Sequence, residues 1–95
     1  MDFGILSREI LIKLKAVEFL AEDYAADYPT LIRYFQAITT KFILKKLSAK
    51  DRLTLYSILV NNDRDRALAF IRQRIPYLKK KLYIELKMNL EGIVK

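Results

Sequence analysis

The chain has 95 residues, of which 53% are apolar, and 18 basic against 11 acidic side chains give it a net charge of +7. This length and composition suit one small ordered domain, and only two Gly and two Pro argue against disorder along the whole chain. The chain has no Cys and no His, which excludes disulfides, thiolate metal sites and triad catalysis, so we expect no enzyme activity, catalytic residue, metal, cofactor or small-molecule substrate.

Apolar residues recur at helical spacing along the chain, and alternating strand patterns are nearly absent. We therefore expect an all-α fold, a compact bundle of four to five short helices in a single domain over residues 1–95. A leader, residues 1–6, precedes Ser7, which we predict caps a first helix over residues 8–22. An acidic linker over residues 23–28 ends at Pro29, which predicts the start of a second helix that extends to Leu47.

Ser48, with Asp51 three residues later, resembles a capping box and predicts a third helix that ends at Asn61 and Asn62. The apolar residues expected on its buried face are Leu53, Tyr56 or Leu55, Leu59 and Val60. Asp63 is expected to cap a fourth helix over residues 64–74, which Pro76 stops or kinks. A last helix over residues 77–91, with Gly92 as its C-terminal cap, carries leucines at four-residue intervals, namely Leu78, Leu82, Leu86 and Leu90.

Charge is unevenly distributed along the chain. Residues 1–30 are net −3, whereas residues 31–95 are net +10. The acidic segment could meet the basic body of a second copy, and the basic body favours negatively charged partners. Ten cations are candidate nucleic-acid contacts if they converge on one face: Lys41, Lys45, Lys46, Arg64, Arg66, Arg72, Arg74, Lys79, Lys80 and Lys81. The alternative is that they are the solvated sides of several helices.

A second set of candidate site residues is apolar or aromatic. Most of the eleven aromatic residues fall on or beside the predicted core stripes, but several do not, and the first helix is apolar on more than one side. Amphipathic tyrosines are frequent anchors of protein interfaces. The residues expected to contact a partner are Ile12, Phe19, Tyr24, Tyr28, Tyr34 and Tyr77. The alternative is that they shield the ends of the bundle.

From residue 41 to residue 91 the order of caps, turns and apolar positions is similar to that of an uncharacterised family of very small helical proteins of uncultivated bacteria. The matching elements are Leu47-Ser48 with Asp51, Asn62-Asp63 before Ala67, Phe70-Ile71 and Ile75-Pro76. The resemblance covers about half of the chain and implies a helical fold without implying an activity or a functional residue. This chain is strongly basic in that half, where an acidic surface is expected of the family.

These features predict a non-enzymatic protein-interaction or self-assembly module, with a protein partner or a second copy of the chain. The alternative is a sequence-nonspecific nucleic-acid-binding protein that uses a basic helical face. No stretch of the sequence is apolar enough for a membrane span, and the N-terminus lacks the features of a secretory signal, so we expect a cytoplasmic protein.

Overall fold

The computed structural model describes residues 3–15, 17–23 and 27–94, with the backbone alone for Phe19, Asp23 and residues 92–94. The described residues form six helices and no strand, so the all-α prediction is confirmed, with one or two helices more than expected. Their bounds are α1 Phe3–Lys13, α2 Glu18–Asp23, α3 Tyr28–Lys46, α4 Ala49–Val60, α5 Arg64–Arg74 and α6 Leu78–Val94. The radius of gyration of 13.3 Å is that of a compact chain of this length.

The longest helix, α3, lies at the centre of the fold and packs against α1, α2 and α6. Its side chains Phe35 and Ile43 are fully buried, and they belong to a cluster of buried residues to which all six helices contribute. The helix begins as the sequence predicts, because the Asp27 carboxylate accepts hydrogen bonds from the Thr30 backbone N–H and hydroxyl at 3.3 and 2.8 Å. The predicted acidic linker is shorter than 23–28, since Asp23 ends α2 and Tyr28 opens α3.

The first helix is where the structure departs most from the sequence prediction. Residues 3–6 of the predicted leader are helical, and Ser7 is a buried residue inside α1 rather than its cap. The reason is that Leu6 extends the apolar stripe of Ile10 by one turn towards the N-terminus, so that the helix gains buried area by starting earlier.

The predicted helix over residues 8–22 is also broken in two. Lys15 adopts a left-handed backbone conformation with φ of 54°, and α1 ends before it. The break allows Leu14, Val17 and Leu20 to be buried together, which outweighs the cost of about 1–2 kcal/mol of a left-handed residue other than glycine.

The helical hairpin of α4 and α5 follows the prediction in its bounds and caps. Ser48 Oγ accepts a hydrogen bond from the Asp51 backbone N–H at 3.1 Å, and an Asp63 carboxylate oxygen accepts one from the Arg66 backbone N–H at 3.1 Å. Between the helices, Asn62 takes the left-handed conformation with φ of 57°.

The last helix buries the four leucines that the sequence analysis places on its inner face. It does not end at Gly92, however, but continues to Val94. The side chains of Ile93 and Val94, for which the sequence suggests an apolar latch after the helix, lie outside the described residues. Within the described ranges, no helix is both long enough and apolar enough to cross a membrane.

Candidate interaction surfaces

Helix α4 is apolar on two faces, and only one of them is buried. Leu55, Ile58 and Leu59 are at most 5% exposed and pack into the core. On the other face Leu53 is 72% exposed, Tyr56 68% and Val60 64%. We refer to Leu53, Tyr56 and Val60 as the α4 stripe. Their spacing of three and four residues aligns them along one side of the helix over two turns.

The α4 stripe is exposed because α4 lies at the edge of the bundle. It packs chiefly against α5, and its residues Leu55, Ile58 and Leu59 belong to the buried cluster. Tyr56 also lines a cleft between α4, α1 and α3, together with Phe3, Leu44, Arg52, Leu55 and Leu59. Arg52 Nε donates a hydrogen bond to the Leu44 carbonyl at 2.7 Å and so fixes one rim of this cleft. The stripe and the cleft therefore form one continuous, largely apolar surface.

The sequence-based prediction for this face of α4 is wrong. It assigned Leu53, Val60 and, as one alternative, Tyr56 to the buried face of the helix, and the structure contradicts that assignment. From residue 53 to residue 60 only Thr54 and Ser57 are polar, so two interleaved apolar stripes compete and periodicity alone does not identify the buried one. The detectable signal was the number of apolar residues around the helix, which exceeds what one neighbour can cover.

The predicted apolar and aromatic contact residues lie on several different elements. Ile12 on α1 is 46% exposed, Tyr34 on α3 is 40% exposed, and Tyr77 in the turn before α6 is 79% exposed. Tyr28 is half-buried and packs against the core at the start of α3. The side chain of Phe19 and the whole of Tyr24 lie outside the described residues. Among the described contacts, none joins two members of this set.

Three of the predicted basic residues do come together. Lys41, Lys45 and Lys46 line a cleft between α3 and α6, and the Lys46 ammonium group lies 5.7 Å from the centre of the Phe42 ring. The α6 residues in this cleft are Glu85 and Asn89. Lys81 precedes Glu85 by one turn and therefore lies on the same side of α6.

The arginines of α5 do not join that cleft. Arg64 forms an ion pair with Glu9 of α1, and Arg74 pairs with Asp51 of α4 at 3.6 Å while its guanidinium lies over the Phe70 ring. Arg66 and Arg72 are exposed, but on an ideal helix they leave α5 about 120° apart.

The lysines that open α6 are spread in the same way. Lys79, Lys80 and Lys81 are consecutive and exposed, so they span about 200° of the helix circumference. The ten predicted cations thus divide into a small group at the α3/α6 cleft and a dispersed remainder.

Within the described ranges, no group of three or more acidic side chains is placed to hold a metal ion. Comparison of the chain with protein-family models, with curated proteins and with solved structures gives no match. The resemblance of residues 41–91 to a family of very small helical proteins therefore stays a prediction.

Proposed function

We propose that this protein is a non-catalytic protein-interaction module and that the α4 stripe is its docking surface. The observation that carries the proposal is the exposure of Leu53, Tyr56 and Val60, each about two thirds solvent-accessible, on a helix whose opposite face already supplies the core. Scattered exposed apolar residues are ordinary on a protein surface, but an aligned stripe with a tyrosine at its centre is typical of a contact surface.

Burial of these side chains by a partner gives a favourable free energy of about 25 cal/mol for each Å² of apolar surface removed from water. Tyr56 contributes most, because its ring buries a large area at a low cost in side-chain entropy and its hydroxyl can remain at the rim. The cleft beside Tyr56, with Phe3 and Leu44 in its wall, supplies further apolar area for the same partner.

Site-specific photo-crosslinking in cells tests the proposal. A photoreactive amino acid at position 56 lies on the stripe, whereas the same amino acid at position 54 lies on the same helix but away from the stripe. We expect covalent protein adducts from position 56 and few from position 54. Equal yields from the two positions, or no adducts from either, would contradict the proposal.

A second candidate function, binding of a nucleic-acid phosphate backbone, is favoured by the clustering of Lys41, Lys45 and Lys46 in the α3/α6 cleft. Each phosphate contact on duplex DNA adds about 0.9 to the slope of log affinity against log salt concentration. Glu85 in the same cleft reduces the local positive potential, and for this reason the α4 stripe is the preferred site.

Two double variants with the same change in net charge test this second function. Lys41→Glu with Lys45→Glu alters the cleft, whereas Arg66→Glu with Arg72→Glu alters dispersed positions on α5. If the cleft binds phosphates, the first variant loses binding and reduces the salt slope by about 2, while the second retains both. Equal losses in the two variants would indicate only a nonspecific effect of net charge.

A further inference from the structure

We propose that the occupant of the α4 stripe is a second copy of this chain, with the two α4 helices packed antiparallel across a two-fold axis. This inference rests on the proposed function, since it names the partner of the same surface. It is carried by the distribution of charge along α4 and by the position of Tyr56 within the stripe.

In the first turn of α4, Asp51 suits the helix dipole and is paired with Arg74, whereas the exposed charge of Lys50 opposes the dipole. Lys50 lies in the first turn, where the unpaired backbone N–H groups already carry positive charge, and the last turn holds no basic residue. Arg52, also near the N-terminus, is already bound to the Leu44 carbonyl. Beyond Val60 the chain continues through Asn61 and Asn62 to Asp63, whose carboxylate caps α5, so the negative end of α4 is supplied by the unpaired carbonyls of its last turn.

An antiparallel pair brings the two ends into complementary positions. In this pair Leu53 of one copy lies opposite Val60 of the other. Lys50 then lies near Asp63 and the C-terminal carbonyls of the second α4. A cation is stabilised at that end of a helix. A parallel pair would instead place Lys50 beside Lys50 of the second copy and align the two helix dipoles. Charge complementarity therefore selects the antiparallel arrangement.

The same register places the middle of the interface between Tyr56 and Ser57. The two Tyr56 rings then lie next to each other at the two-fold axis, as an isologous contact requires. Tyr56 is the largest side chain of the stripe and is flanked by the apolar cleft, so the largest area of the stripe is buried close to the centre of the interface.

The size of the surface sets the strength of the association. Standard interfaces bury about 800 Å² on each partner, and three side chains supply only part of that area. The walls of the cleft at Phe3 and Leu44 supply more, but the two copies also repel each other through their net charge of +7. We therefore expect a dimer that dissociates at concentrations on the order of micromolar.

Cysteine cross-linking tests the arrangement directly, because the chain has no cysteine of its own. Ser57→Cys introduces a thiol beside the proposed axis without removing any residue of the stripe. Ala49→Cys is the matched control. Ala49 lies on the same side of α4 as the stripe. In the antiparallel register, however, Ala49 of one copy and Ala49 of the other are separated by about 15 helical positions along the helix axis. At 1.5 Å per residue this is about 22 Å, far beyond the reach of a disulfide.

Under mild oxidation at micromolar concentration we expect a disulfide-linked dimer from Ser57→Cys and little from Ala49→Cys. Similar disulfide yields from the two positions would indicate a parallel pair, in which each residue lies beside its own counterpart, and would overturn the proposed arrangement. Sedimentation of the unmodified chain supplies the second measurement, in which Tyr56→Gln is expected to weaken dimerisation about tenfold or more. A strict monomer up to a millimolar concentration, with photo-crosslinks from position 56 to another protein, would overturn this inference while leaving the proposed function in place.

Discussion

The hydroxyl oxygen of Ser7 on α1 lies 2.6 Å from the hydroxyl oxygen of Thr40 on α3. Thr40 donates its own proton to the Gln36 carbonyl at 3.0 Å, so Ser7 is the donor in the contact between the two helices. Gln36 in turn donates from Nε2 to the Gly4 carbonyl at 2.8 Å. A short polar network therefore joins α1 to α3 within an otherwise apolar interface.

Replacement of Ser7 by Ala removes the donor of this contact and leaves the bond from Thr40 to the Gln36 carbonyl intact. We expect the free energy of unfolding to fall by about 0.5–1.5 kcal/mol, the net value of one hydrogen bond. Urea denaturation followed by circular dichroism measures the change. Ser57→Ala on the exposed side of α4 is the control and is expected to change stability by less than about 0.5 kcal/mol.

Thr39 neighbours this network but has no part in it. It is fully buried, and its hydroxyl has no hydrogen-bond partner among the described residues. Thr39→Val keeps the shape and removes the unpaired polar group, so we expect the free energy of unfolding to rise by about 1 kcal/mol. Thr54→Val is the control, because Thr54 is exposed and its hydroxyl donates to the Lys50 carbonyl. A loss of stability in Thr39→Val would contradict the idea that this hydroxyl is unpaired.

The left-handed conformation of Lys15 predicts the sign of the change in stability when this residue is replaced by Gly. That sign differs between a helix broken at Lys15 and an unbroken helix over residues 8–22. In the structure Lys15→Gly relieves a backbone strain and is expected to raise the free energy of unfolding by up to about 1 kcal/mol. In an unbroken helix over residues 8–22 the same change would lower it by about 1 kcal/mol. Arg8→Gly, inside α1, provides the reference for a helical position and is expected to be destabilising.

Lys50 is predicted to affect folding and self-association in opposite directions. Lys50→Glu places a negative charge in the first turn of α4, which stabilises the monomer by about 0.3–1 kcal/mol. In the dimer it puts that charge beside Asp63 of the second copy, so the dissociation constant rises. Lys80→Glu is a matched control, since it lies in the first turn of α6 and is expected to stabilise the monomer without weakening the dimer. Thermal unfolding at low concentration and sedimentation measure the two effects separately.

Salt concentration distinguishes two ways in which the chain could associate with itself. A dimer through the α4 stripe buries apolar area against the repulsion of two copies of charge +7, so added salt screens the repulsion and strengthens it. Contact between the acidic segment over residues 1–30 and the basic body of a second copy would weaken as salt is added. We expect the dissociation constant to fall between about 0.05 and 0.5 M salt, a range over which the Debye length shortens about threefold.

The sequence indicated the helix starts well where a cap residue is present. Asp27, Ser48 and Asp63 each accept the hydrogen bond expected of an N-cap, and the three helices that follow begin within one residue of their predicted starts. These signals are local, because a side-chain oxygen satisfies backbone groups two or three residues away. The all-α class and the buried face of α6 could be predicted from the sequence for a similar reason, because the four leucines of α6 repeat at one fixed interval.

The features that the sequence did not reveal depend on contacts between distant parts of the chain. No glycine or proline marks the break at Lys15, which is imposed by the burial of Leu14 and Val17. The exposed face of α4 was missed because the choice between its two apolar faces depends on where α5 packs. The three lysines of the α3/α6 cleft lie together because they occupy neighbouring turns of the same helix, α3. The cleft that they line is formed by the packing of α6, which is far away in the sequence.

Two ion pairs connect α1 with α5, and their order has a further consequence. Glu9 pairs with Arg64, and Lys13 pairs with Asp65. Each helix therefore contributes one acidic and one basic residue, and each residue pairs with one of opposite charge. Pairs as exposed as these add little to the free energy of folding. A slide of α5 by one turn along α1, however, would bring Lys13 beside Arg64. The alternating charges therefore disfavour misaligned packing of the two helices, by a free energy as small as that of the pairs themselves.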